Sequence, residues 1–389
     1  MLKVIKILAK IIGASLISIS LFLVLSGRSY LFKGIWNTYL HGHTTASATE
    51  YQIFEYRKVA ATNPKPWIRS SNYNSKKISD ATLKRFSEIK THAFVIIKND
   101  SLIHEQYWDG FSDTSHTNSF SMSKSYVSAL LSCAIKDGYI KSLDQPVYNY
   151  IPEFKNDARK SITLRHLATM TSGIDFDENY TNPFSFPAEG YYGPDLLVAC
   201  TKYKKIKTEP GTVFKYLSGN SGLLGYCITK AVGKPLSDYL SQKLWSPLNC
   251  EHEARWSLDR KDGLEKMFCC INSNATDFAR MGNLYLNYGN WYGKQLIDSA
   301  YVAQSITPFD CKETDGSHND SYGYSIWLTT HKGMKVFYMQ GLLSQYVICV
   351  PEKKLVICHL GRKKEPKGNG KCPVDAARCI DEALSLYFK

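Results

Sequence analysis

From Thr91 onward the chain sorts into segments whose hydrophobic spacing names the element. "THAFVIIKNDSLIHEQYW" (91–108) sets two β-rich apolar runs on either side of Asn99-Asp100, the pattern of a hairpin. From Ser121 the period lengthens, and Tyr126, Leu130 and Cys133 fall on one side of a helix that Gly138 ends. Between about 145 and 310 the pattern is mainly helical with long loops. "ITLRHLATMTSG" (162–173) and "GNSGLLGYCITKAVG" (219–233) are amphipathic and stop at glycine. Asn274 caps "ATDFARMGNLYLNYG", with Asp277 at the third helical position as in a capping box. The C-terminal region returns to strands: "YGYSIWLTT", "KVFYMQG", "QYVICVP" and "KLVICHLG". A tight turn from Pro351 to Lys354 joins the last two, and Pro373 opens a final helix. Strands at both ends of this region with helices between them predict an α/β fold of the α+β type. One antiparallel sheet is flanked by helices, with an inserted, mainly helical subdomain. No internal repeat or low-complexity tract interrupts the pattern.

The first ninety residues differ. Lys3, Lys6 and Lys10 precede "IIGASLISISLFLVL" (11–25), an uncharged apolar run. A positive stretch followed by such a run marks 1–27 as a signal peptide or an N-terminal membrane anchor. The run falls short of the ~20 residues of a full span, but the stems of Lys10 and Arg28 can snorkel. Val24-Leu25-Ser26 weakly resembles a cleavage site. Either way the rest is exported: membrane-anchored with an extracytoplasmic catalytic domain, or secreted or periplasmic after cleavage. Residues 28–90 are polar and dotted with aromatics, a linker and docking segment before a domain over 91–389. The net charge of +13 does not point to nucleic acid, because residues 1–90 hold fourteen Lys and Arg against four Asp and Glu. Little excess is left for a phosphate-tracking groove. With 389 residues and 44% hydrophobic content, the chain can bury a sizeable core.

Eleven cysteines do not form a disulfide framework by their placement. Cys133, Cys227, Cys349 and Cys358 sit inside apolar runs and read as small buried hydrophobes. Cys269-Cys270 are adjacent, which suits neither an ordinary local bridge nor zinc-ligand spacing. Neither HExxH nor paired CxxC occurs, so no metal and no cofactor is expected.

The candidate chemistry begins in "SFSMSKSYVSALL" (119–131). On a helix, positions three apart share a face, so Ser121 and Lys124 can meet. A serine hydroxyl needs a neighbour to take its proton, and a lysine can do so once burial lowers its pKa from about 10.4. Alone the pair is weak, since a capped, solvated helix start has the same residues. Tyr216 and Ser218 lie on a loop before an apolar helix; a Tyr216 near Lys124 would have its phenolate stabilised and act as a base, or else simply pack. Gly341 lets a strand edge approach a ligand, so the backbone N–H of Leu342 can join that of Ser121 as an oxyanion hole. The plainer alternative is an edge strand with a bulge.

The order Ser-Met-Ser-Lys, Tyr-Leu-Ser, Met-Gln-Gly-Leu-Leu-Ser-Gln-Tyr resembles the serine β-lactamase and penicillin-binding-protein superfamily. It looks most like the branch of class C enzymes, related esterases and aminohexanoate-oligomer hydrolases, from about residue 91 to the end. The resemblance implies Ser121 as acylated nucleophile, Lys124 as its proton partner and Tyr216 as base and then acid. The N–H groups of Ser121 and Leu342 would make the oxyanion hole, with Ser218, Asn272, Gly341 and Gln345 at the substrate; for Asn272 a helix-preceding turn is the alternative.

Three departures limit the analogy. Ser218 stands where class C enzymes carry an asparagine. Met339-Gln340 replace the Lys-Thr that would hold a β-lactam or D-alanine carboxylate. Ser344 precedes Gln345 where relatives often have glycine. The loop "ENYTNPFSFPAEGYYGPD" (178–195) carries Phe184, Phe186, Tyr191 and Tyr192, and is expected as a lid over an apolar acyl pocket or as a pinned surface loop. The expected function is a serine hydrolase of a small ester or amide. A β-lactamase or D-alanyl-D-alanine carboxypeptidase is one alternative, and a non-catalytic membrane-tethered binding module of the same fold is the other. The sequence leaves the oligomeric state open.

Overall fold

The computed structural model describes residues 1–42, 45–366, 368 and 370–388. Its strands are β1 (Tyr56–Val59), β2 (Ala93–Lys98), β3 (Ser101–Tyr107), β4 (Thr117–Asn118), β5 (Ala254–Ser257) and β6 (Ile271–Ser273). They continue as β7 (Asn290–Trp291), β8 (Lys294–Gln295), β9 (Trp327–His331), β10 (Met334–Gly341), β11 (Gln345–Val350) and β12 (Leu355–Leu360). The main sheet is antiparallel throughout, in the order β3-β2-β12-β11-β10-β9. Asn99 and Asp100 both adopt positive φ, the geometry a two-residue hairpin turn demands.

Period-two alternation gives this sheet two apolar faces. Val356 and Cys358 of β12 point with Val95, Val347 and Cys349 into the main core. Helices Ser123–Lys136, Ser218–Val232 and Ala275–Leu286 contribute to the same core. Leu355 and Ile357 point the other way, with Ile96 and Ile348, onto the C-terminal helix Val374–Tyr387. Gly282 lets one helix lie close on the sheet: a Cβ there would stand 2.6 Å from Val347. The cysteines of β11 and β12 are thus the small buried hydrophobes their setting suggests.

Residues 28–42 and 45–90 fold onto this body. A helix spans Tyr30–Asn37, another spans Asp80–Glu88, and β1 forms the edge of a second antiparallel sheet ordered β1-β5-β6-β4. Ahead of them a helix over Leu2–Leu25 is long and apolar enough to cross a membrane, and only Leu23 of it is buried.

Two local expectations change. The helix expected over 162–173 shrinks to Leu164–Ala168, because Met170 and Gly173 take positive φ and turn the chain. A Cβ on Gly173 would stand 2.0 Å from the Thr208 carbonyl oxygen. At the Ala275–Leu286 helix the cap is one-sided: Asn274 accepts from the Asp277 N–H at 2.8 Å. The Asp277 carboxylate accepts instead from the N–H groups of Glu251 and His252, tying down the preceding loop.

Candidate active site

The approach to Ser121 is a short strand and a forced turn. Asn118 of β4 accepts the Phe120 N–H at 2.9 Å, and Phe120 adopts φ 44, an uncommon conformation for a bulky residue. Residues 120–122 then form one 3-10 turn that feeds the buried helix Ser123–Lys136. The turn brings Lys124 back over Ser121.

Lys124 Nζ lies 2.8 Å from Ser121 Oγ and 2.7 Å from the Phe268 carbonyl oxygen. The side chain is 1% exposed, and burial pushes its pKa down to about 7, with the Glu178 carboxylate pulling weakly the other way. Tyr216 hydrogen-bonds Ser121, and its ring centre is 5.1 Å from Lys124 Nζ. Burial raises the Tyr216 phenol above its usual range and Glu178 adds to that rise, outweighing the Ser121 hydrogen bond. The direction of that shift opposes the phenolate expected for Tyr216, while the same burial favours a neutral Lys124 amine.

Ser218 lies in the same cavity wall as Ser121 and Leu342. Its N–H donates to Glu178 at 2.8 Å, and Tyr180 donates to the other oxygen of that carboxylate at 3.0 Å. Glu178 and Tyr180 went unmarked in the sequence; an acidic residue heading the aromatic loop was the available signal.

Gly341 ends β10 against the nucleophile turn. A Cβ there would stand 2.2 Å from the Ser119 carbonyl oxygen. The next residues bend sharply, with Leu343 and Ser344 at φ 60 and 65. The departure at Ser344 thus occupies a position that favours glycine, held by a 2.5 Å hydrogen bond from its hydroxyl to Asp375.

Asn272 and Gln345 lie outside the cavity wall. Asn272, on β6, donates its amide to the carbonyls of Arg255 and Cys270 and to the Ser257 hydroxyl, so it braces β5 and the entry to β6. Gln345 donates to the carbonyls of Leu343 and Gly361 and supports the bend from behind. Both are brought near the site, and neither faces its cavity.

Cys269 and Cys270 form a disulfide between neighbours, with Cα atoms 3.7 Å apart. Adjacency argued against a bridge because ordinary disulfides span Cα distances of about 4.4–6.8 Å; here the Cys270 backbone takes φ 78 instead. The pair follows Phe268, the residue whose carbonyl holds Lys124, and Cys269 reaches the cavity wall. Alkylation of the unfolded, unreduced protein is expected to spare both cysteines, and reduction to expose them. Mass spectrometry of the tryptic peptide from 267 to 280 reads this, and free thiols there before reduction would refute it.

The cavity beside Ser121 measures about 210 Å³. Among the described residues its wall carries no charged side chain. The loop over 178–195 forms part of that wall through Tyr180, Pro183, Pro187 and Tyr191, and its short helix Phe186–Tyr192 has Phe186 fully buried.

An antiparallel sheet flanked by helices, with a buried Ser–Lys pair on the first core helix and a strand end closing over it, is the layout of the serine β-lactamase and penicillin-binding-protein fold. The beta-lactamase family model matches residues 80–373, and the chain belongs to that family of hydrolases. It is 24% identical to the 6-aminohexanoate-dimer hydrolase of Paenarthrobacter ureafaciens over 237 residues, 56% of this chain. The match spans 58% of that relative's length. A Bacillus anthracis structure assigned as a 6-aminohexanoate-dimer hydrolase superposes with a TM-score of 0.68 at 20% identity, covering 87% of this chain and 92% of that one. The octameric penicillin-binding protein homologue of Pyrococcus abyssi gives 0.61 at 18% identity, covering 79% and 76%. At these identities the structural likeness is one of fold.

Proposed function

We propose that the chain is a serine hydrolase that cleaves an ester or amide through an acyl-enzyme on Ser121. The observation that carries this is the 2.8 Å contact of Ser121 Oγ with a lysine whose amine is driven down to about 7. Lys124, its amine pushed toward the neutral form by burial, takes the Ser121 proton as Oγ attacks the substrate carbonyl. The negative charge on the carbonyl oxygen is met by the N–H groups of Ser121 and Leu342. Tyr216, protonated and hydrogen-bonded to Ser121, passes a proton to the leaving oxygen or nitrogen as its bond to the carbonyl carbon breaks. Water then enters by the reverse path and releases the acid.

The wall argues for a neutral acyl group. Met339 is buried, and Gln340 is turned to the Tyr346 hydroxyl at 2.7 Å, so no cation stands where a β-lactam carboxylate would need one. We place residues 1–27 as the export segment or anchor, 28–90 as the docking segment and 91–389 as the catalytic domain outside the cytoplasm. The apolar helix Leu2–Leu25 supports that placement, as does a disulfide of the kind oxidising compartments preserve. A small fluorophosphonate is expected to label Ser121 stoichiometrically and to spare a Ser121→Ala variant. No labelling, or equal labelling of the variant, overturns the proposal.

A further inference from the structure

The outer wall of the Ser121 cavity is built by the helix that follows the apolar N-terminal one. Tyr30, Leu31, Gly34 and Ile35 of the Tyr30–Asn37 helix face the cavity opposite Ser121 and Leu342. This helix is fastened to the aromatic loop. Gly34 leaves room for the Tyr192 ring, since a Cβ there would stand 3.3 Å from it, and the Tyr30 hydroxyl donates to the Pro183 carbonyl.

The other side of the same helix is apolar and open. Trp36 is 61% exposed, and Phe32 is exposed beside it. Leu40 continues the patch, and Phe184 stands exposed on the loop, under the Arg28 guanidinium. Only four residues separate this helix from Leu2–Leu25, a reach of at most about 17 Å. From Ile11 to Leu25 that helix is apolar all round, and among the described residues only its Leu23 is buried, so lipid is the partner its surface suits. A short helix bearing Trp, Tyr and Phe at its end then sits at the headgroup level. The cavity mouth is therefore held at a bilayer surface by its own wall.

Size restricts what enters. A volume of about 210 Å³ is below the ~300–1,000 Å³ of sites for drug-sized ligands. It fits one narrow chain, and the uncharged wall fits an apolar one.

We propose that this cavity takes the single acyl chain of an amphiphilic ester or amide drawn from the lipid surface, with the carbonyl at Ser121 and the polar remainder left outside. The inference rests on the serine-hydrolase reading above. Ser121 Oγ bonds to the acyl carbon, the leaving alcohol or amine departs with a proton, and water releases the fatty acid.

The test uses the full chain in phosphatidylcholine vesicles, with competent sites counted by fluorophosphonate titration. For p-nitrophenyl esters, kcat/KM per titrated site is expected to rise at least tenfold from acetate to octanoate. A buried methylene is worth about fourfold, so even partial burial of the chain suffices. Leu31→Trp should shift the preferred chain to a shorter one, and Ile35→Asp should flatten the rise. Monooctanoyl glycerol carried in the same vesicles as the protein should be hydrolysed at least fivefold faster than when carried in separate vesicles. Normal titration with an acetate ester as good as octanoate, an unmoved chain-length profile in both variants, or equal rates from separate vesicles each overturn the inference and leave the serine-hydrolase reading standing. Failure of the titration itself overturns that reading, and this one with it.

Discussion

Replacing Lys124 with methionine is expected to lower kcat/KM about a hundred- to ten-thousandfold while making the protein more stable at pH 6. The first effect follows from geometry: Lys124 is the one amine on Ser121 Oγ, and a positioned base contributes about two to four orders of magnitude. The second follows from burial. An amine moved from 10.5 to about 7 carries a destabilisation of roughly 5 kcal/mol when it must be an ammonium, at ~1.4 kcal/mol per pH unit. Methionine removes that charge but strips the Phe268 carbonyl of its donor, returning a cost of about 1–3 kcal/mol. A net gain of about 2–4 kcal/mol remains.

The sign fixes the pH window. The folded pKa lies below the unfolded one, so between about 7 and 10.5 the unfolded chain binds the extra proton and wild-type stability climbs with pH. Below 7 the penalty is complete. The advantage of Lys124→Met in urea unfolding should thus be largest below pH 7 and shrink toward pH 10. Wild-type kcat/KM should rise through a midpoint near 7 as the amine loses its proton. A flat rate profile, or a variant less stable at pH 6, would contradict a buried neutral lysine.

Much of this was legible where local chemistry and tertiary setting agree. The alternation in "KLVICHLG" gives both faces of β12, and Asn99-Asp100 gives the hairpin turn. Ser121, Lys124, Tyr216 and Leu342 come together because their motifs occur in order. Residues whose role depends on a distant partner were not legible. Asn272 and Gln345 turn their amides to backbone carbonyls, since a buried amide that finds acceptors nearby has no reason to face a cavity. The Tyr30–Asn37 helix reads as a polar linker with scattered aromatics, and only its packing against Tyr192 makes it a wall. The upward shift of the Tyr216 phenol was hidden for a related reason. Proximity to a lysine suggests a nearby positive charge, but the burial that joins the pair also takes that charge away.

Gly341→Ala is expected to lower kcat about a hundred- to thousandfold, with little change in KM. The added methyl meets the Ser119 carbonyl oxygen at 2.2 Å, and that atom is backbone, with no rotamer to move away. One of two segments must shift: the nucleophile turn at 119–121 or the strand end that carries the Leu342 N–H. Either shift separates the two donors aimed at the developing oxyanion, and losing one such donor costs about two to three orders of magnitude. Gly333→Ala supplies the control on the same strand. That glycine sits at φ 78 in the turn between β9 and β10, with nothing within 4 Å of a Cβ. Alanine there strains the backbone by about 1 kcal/mol without touching the site. If Gly341→Ala acts only through stability, both variants should lose activity in step with their melting temperatures. If it acts through the oxyanion donors, Gly333→Ala keeps its kcat, whereas Gly341→Ala binds substrate normally and acylates slowly under single-turnover conditions. Normal acylation by Gly341→Ala would remove Leu342 from the oxyanion hole.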